Sequence, residues 1–177
     1  MRPFIQPVAP SIDDPIELLR ACHDKVRRFA DLTIRLRDHV ATHGADKQAQ
    51  EAAQAILRYF NIAAPLHHDD EEQDLFPALR ALGDVGDVGL EGLNHAIDDL
   101  AAEHIKLGAL WQGLQAWLQD LAQGTVQAAP STVDDFAQAY KAHAQREEDE
   151  VYPAASQLSA AQRQHISAAM VRRRTAR

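Results

Sequence analysis

Two stretches of the chain carry residues that suit metal binding. His67–Pro77 reads HHDDEEQDLFP, and His143–Pro153 reads HAQREEDEVYP. They correspond at His67/His143, Glu71/Glu147, Glu72/Glu148, Leu75/Val151, Phe76/Tyr152 and Pro77/Pro153. On an α-helix, residues i and i+4 lie one turn apart on one face, so each copy points an imidazole and a carboxylate the same way. A single pair of this kind is most often a solvated helix face. Its duplication at fixed spacing marks a ligand set, because imidazole and carboxylate together accommodate iron, manganese or zinc. His68 and Glu72 share the spacing. The second copy has one His, which aligns with His67, so His68 stays open as a further ligand or as a partner to one.

Helices must position these side chains. A first helix is expected from Asp13-Asp14-Pro15, an N-cap acid followed by Pro at the first helical position, to Gly44. A second runs from about Asp46 to Leu82, with Pro65 expected to kink it one turn before the site. The segment Gly83–Gly89 reads as a loop. A third helix covers about Gly92 to Ala122, and Gly124 and Pro130 mark the next connection. Ser131 or Thr132 is expected to cap the fourth helix, and Ser159 with Gln162 forms a capping box opening a short fifth around Ile166 and Met170. Pro3, Pro7 and Pro10 favour an extended arm. With almost no strand pattern, the fold class is all-α, an antiparallel up-down four-helix bundle with an N-terminal arm and a short C-terminal helix. The expected divisions are 1–12, 13–155 and 156–177.

In an up-down hairpin, residues at equal height are equidistant from the turn. The midpoint of His23 and His67 falls beside Gly44, that of His67 and His104 inside Gly83–Gly89, and that of His104 and His143 beside Gly124. His23, His67, His104 and His143 should therefore meet at one level. His39 lies about 24 Å along the helix axis from His23, and His43 further still. His95 is on nearly the opposite face from His104, and His165 is beyond the bundle; all four read as surface residues. Tyr59, Tyr140, Trp111 and Trp117 read as core. Four imidazoles and two carboxylates exceed the four ligands of one zinc ion but suit a metal pair bridged by Glu71 and Glu147.

The composition agrees with a single soluble domain: 177 residues, 46% hydrophobic and 25% charged. A net charge of −8, with a basic cluster only at Arg172–Arg174 and Arg177, argues against nucleic acid as the main partner. No apolar run approaches a membrane span, and the N-terminus lacks a signal-peptide core; a cytoplasmic location is expected. The one cysteine, Cys22, excludes an internal disulfide and a cysteine zinc cage and is expected to pack beside His23.

HxxxE repeated on the second and fourth helices, with a single His on each of the first and third, resembles the hemerythrin-like HHE cation-binding domains of bacteria over about residues 14–155. The resemblance implies a non-haem di-iron site with carboxylate and oxo or hydroxo bridges. It also implies His23, His67, His104 and His143 as terminal ligands and Glu71 and Glu147 as bridges, with manganese or zinc possible in place of iron. One departure is that Leu100 and Gly108 stand where oxygen-carrying members place a further His four residues from that of the third helix. The expected function is binding of dioxygen or a related small molecule, such as peroxide or nitric oxide, in oxygen or redox sensing or storage. The alternatives are an enzyme reducing peroxide or nitric oxide, or an iron-handling protein acting through a partner. For that last reading the basic tail and fifth helix are the only docking features, and solvated helix ends explain them more simply.

Overall fold

The computed structural model describes residues 14–83 and 92–176. Four long helices form a bundle and a fifth lies against it, with no strand among the described residues. Helix α1 (Pro15–His43) begins where the Asp14 carboxylate accepts from the N–H groups of Ile16 and Glu17. Gly44 ends it at φ 69°, a conformation that side chains disfavour. Helix α2 (residues 47–83) is capped by Asp46, which accepts from the Ala49 N–H. Helix α3 (Leu93–Ala122) follows Gly92 at φ 89°. Helix α4 (residues 133–151) is followed by a 3-10 turn (Tyr152–Gln157) and by α5 (Ala160–Thr175), which the expected Ser159–Gln162 capping box opens.

Thr132 occupies the cap position of α4 but makes no side-chain cap bond, contrary to expectation. Its φ of −83° and ψ of 4° are turn-like rather than the extended geometry that aims a cap hydroxyl at the helix. The expected N-terminal arm, 1–12, lies outside the described residues, as does all but Gly83 of the expected glycine loop.

Helix α2 is not a plain α-helix. π-turns occupy Tyr59–Ala63 and Glu71–Leu75, and a third, Glu147–Val151, ends α4. Each lies just before a proline: Pro65, Pro77 and Pro153. Proline lacks an N–H and its ring crowds the carbonyl four residues back. A wider turn relieves both problems, and the N–H groups of Ala64, Phe76 and Tyr152 bond five residues back, to Tyr59, Glu71 and Glu147. At Pro65, where the sequence predicts a kink, the helix carries such a wider turn. The wider turns also explain a buried stripe of i+4 steps: Ile56, Phe60 and Ala64, then Glu71, Leu75 and Leu79. On a straight helix each such step drifts by roughly 40°, and π-turns bring the stripe back to one face.

Helix α1 packs along α4 and α2 along α3, while α1–α2 and α3–α4 contacts close the square; α5 rests on α1 and on the 64–75 stretch of α2. The core has two apolar parts. One contains Val26, Ile56, Phe60, Trp111, Leu114 and Phe136, with Tyr59, Tyr140 and Trp117 as expected. The other contains Leu19, Leu75, Phe76, Leu100, Val151 and Tyr152. In each of the four helices the buried His or His–Glu pair lies between them, so a polar layer crosses the bundle. Polar groups withdrawn from water cost free energy unless something binds them.

Candidate metal centre

All six residues singled out from the sequence lie in that layer. Glu71 and Glu147 are fully buried, and the least buried, His104, is 7% exposed. Each carboxylate straddles the layer. Glu71 Oε1 lies 3.6 Å from His67 Nε2, and Glu71 Oε2 lies 3.6 Å from His104 Nε2. Glu147 Oε2 lies 3.0 Å from His23 Nε2, while Glu147 Oε1 lies 3.1 Å from His143 Nε2 and 3.5 Å from His104 Nε2. Both carboxylates thus present one oxygen to the His23/His67 pair and the other to the His104/His143 pair.

The outer nitrogens of three imidazoles are anchored. Nδ1 of His23 donates to Glu148 Oε1 (2.8 Å), Nδ1 of His104 to Glu72 Oε1 (2.6 Å) and Nδ1 of His143 to Glu103 Oε2 (2.9 Å). Such bonds turn Nε2 inward as an electron-pair donor. Arg27 holds Glu148 (3.0 Å), and Arg146 holds Glu103. Tyr152 stacks on His23, ring centroids 5.3 Å apart, and Phe76 stacks on His104 at 6.2 Å. The Tyr152 hydroxyl also donates to Glu71 Oε1 (2.5 Å) and lies 3.1 Å from His23 Nε2.

The two central carboxyls are perturbed in opposite senses. Burial and the neighbouring Glu147 push Glu71 well above the usual carboxyl range. Burial also works against ionised Glu147, but the imidazoles of His104, His143 and His23 outweigh it and hold Glu147 well below that range. The two carboxyls are thus pushed in opposite directions, Glu71 toward the neutral form and Glu147 toward the anion. Burial, followed by neighbouring imidazoles, keeps His67 and His68 neutral.

The donor set fits metal. Glu71 Oε2, His104 Nε2, His143 Nε2, Glu147 Oε1 and His67 Nδ1 are buried without a hydrogen-bond partner. Unsatisfied groups this close together are costly unless a cation binds them. Two groups of donors are compact enough to hold an ion: His23, His67, Glu71 and Glu147, and separately His68, His104 and His143. His68 belongs to the second, with its ring stacked on His104. Glu72, by contrast, is engaged by His104 Nδ1. Among the described residues neither group includes His39, His43, His95 or His165.

The sequence reading did not assign roles to Tyr152, Glu148, Glu72 or Glu103. The duplication carried the signal for the first three, since the second Glu and the aromatic recur in both copies for matching structural reasons. Glu103 had no such signal. The basic tail also differs from expectation. Arg173 binds Asp70 and Asp74, and Arg174 binds Asp70 Oδ2 (2.6 Å), so these side chains clamp α5 to α2 rather than ending in solvent. Asp70 itself is fully buried.

No helix among the described residues is long and apolar enough to cross a membrane. An uncharacterised protein of Haemophilus influenzae is 36% identical over 137 residues, 77% of this chain and 76% of that one. Residues 14–155, the stretch that supplies all four bundle helices and every residue of the polar layer, match the family model for the hemerythrin HHE cation binding domain. A bundle with paired His–Glu turns around buried, unsatisfied donors is what a cation-binding domain requires, and the chain belongs to the hemerythrin HHE cation-binding family.

Proposed function

We propose that this chain is a cytoplasmic non-haem di-iron protein that binds dioxygen or a related small molecule, in oxygen or redox sensing or storage. His23 and His67 would hold one iron, His104 and His143 the other, and Glu71 and Glu147 would bridge them. The observation that carries this reading is the straddling of both carboxylates, one oxygen toward each histidine pair. Iron held there in its reduced form would supply electrons for binding a small molecule. The chain's own residues hold and orient. Glu148, Glu72 and Glu103 fix three imidazoles, Tyr152 fixes Glu71, and apolar side chains above and below the layer exclude bulk water.

Elemental analysis of protein purified without added metal tests the reading, with His143→Ala alongside. About two irons per chain are expected, as in di-iron carboxylate bundles generally, with a fall in the variant. The reduced, iron-loaded protein should change its visible spectrum on exposure to dioxygen. Little iron in a folded chain that also resists reconstitution would overturn the reading. Steady-state reduction of peroxide or nitric oxide above the rate of free iron would convert it to an enzyme.

A further inference from the structure

We infer that His68 is a third imidazole ligand on the His104/His143 side, so that the two halves of the centre hold their metals unequally. The inference rests on the di-metal reading above. His68 follows His67 directly, about 100° further round the helix, and so faces a different part of the layer. Its ring lies parallel to that of His104, with centroids 3.9 Å apart and planes 13° apart, and stands 6.0 Å from His143. One ring nitrogen each of His68, His104 and His143 lie within 4.8 Å of one another. The outer nitrogens of His104 and His143 are already bound to Glu72 and Glu103, which leaves their buried Nε2 atoms unpartnered on the inside.

Packing alone does not call for an imidazole here. The matching position in the second copy of the motif is Ala144, which is buried with its helix turn intact. His68 is half-buried and brings a ring nitrogen beside the buried, unpartnered Nε2 atoms of His104 and His143, which the alanine of the second copy does not. A metal there would gain a third imidazole nitrogen. The His104/His143 side then offers three imidazoles and an oxygen from each of Glu71 and Glu147. The His23/His67 side offers two imidazoles and the other two oxygens.

The test uses the full chain loaded with ferrous iron under nitrogen, in wild type, His68→Phe and His68→Ala. Phenylalanine keeps a ring against His104 and drops both nitrogens, and alanine installs what position 144 already carries; the two guard against one variant failing to fold. Iron titration and Mössbauer spectroscopy are read together. Wild type should take up both ions as two distinct ferrous signals. In the variants one signal should persist while the other shifts or disappears. The second ion should bind more weakly by on the order of 100-fold, at least the loss seen when a ligand's outer partner is removed. Wild type and folded variants with the same two signals and the same affinities would overturn the inference and leave the di-iron reading intact. Wild type that takes up no pair of ions would overturn both.

Discussion

The two copies of the duplicated motif, 67–77 and 143–153, share a geometry and differ in charge. In each, a π-turn starts at the central Glu, the next Glu takes Nδ1 of a lone histidine on a neighbouring helix, and the aromatic stacks on that same ring. The differences lie at other positions. Ahead of the central Glu, Asp70 binds two arginines of α5, whereas Arg146 binds Glu103 and Glu150. The aromatic is Phe76 in one copy and Tyr152 in the other, and only the second has a hydroxyl to give to Glu71. The residues common to both copies place the donors. Burial and Glu147 push Glu71 up, against the Tyr152 hydroxyl, while, against burial, the imidazoles of His104, His143 and His23 hold Glu147 down.

The sharpest way to break this comparison is to neutralise each carboxyl in turn in the metal-free chain. Glu147→Gln removes the anion that three imidazoles face and should cost about 3 kcal/mol, as breaking a buried charged pair does. Glu71→Gln replaces a carboxyl that burial and Glu147 push toward the neutral form with an amide of the same shape, and should cost less than about 1 kcal/mol. Urea unfolding of chelator-treated protein reads both, and equal losses would show that the two copies are electrostatically alike.

Anchoring comes next. Asp70→Ala frees α5 from α2 and should cost about 2 kcal/mol, as loss of charged hydrogen bonds at a buried acid does. Arg146→Ala should cost less than about 1 kcal/mol, since its side chain is 34% exposed and its ion pairs are screened. Thermal melts compare them; a loss at Arg146 as large as that at Asp70 would mean both copies are tied down equally.

For iron affinity, the outer carboxylates should rank in the order of their burial. Glu148 is 14% exposed and held by Arg27, and its change to Gln should weaken iron binding by on the order of 100-fold; Glu72 is 47% exposed, and the same change should cost about tenfold. Competition against a chromophoric chelator measures both, and a reversed order would sink the argument from burial. A single-atom change, Tyr152→Phe, makes the second copy resemble the first. Loss of one hydrogen bond should cost about 1 kcal/mol in urea unfolding, and no loss would leave the bond to Glu71 without net stabilising effect.

Much of this was legible in the residue order. Asp14, Asp46 and the Ser159–Gln162 box announced helix starts, and the i, i+4 pairs announced a layer of inward-facing imidazoles and carboxylates, because caps and helix faces depend on residues within a turn or so of one another. The π-turns were legible only in part: the proline after each motif and the run of i+4 steps were their signs, but no local rule converts them into a wider turn.

By itself the sequence determined four amphipathic helices, the turns at Gly44 and Gly124 and the depth at which His23, His67, His104 and His143 stand, since helical rise and periodicity are properties of the chain's own backbone. Only the tertiary structure decided that Glu148 reaches His23, that Tyr152 reaches Glu71 and that Arg173 and Arg174 close on Asp70. These partners stand 125, 81, 103 and 104 residues apart along the chain. Their meeting depends on how whole helices rotate and slide as their apolar stripes interlock, a choice made jointly by every side chain in the core.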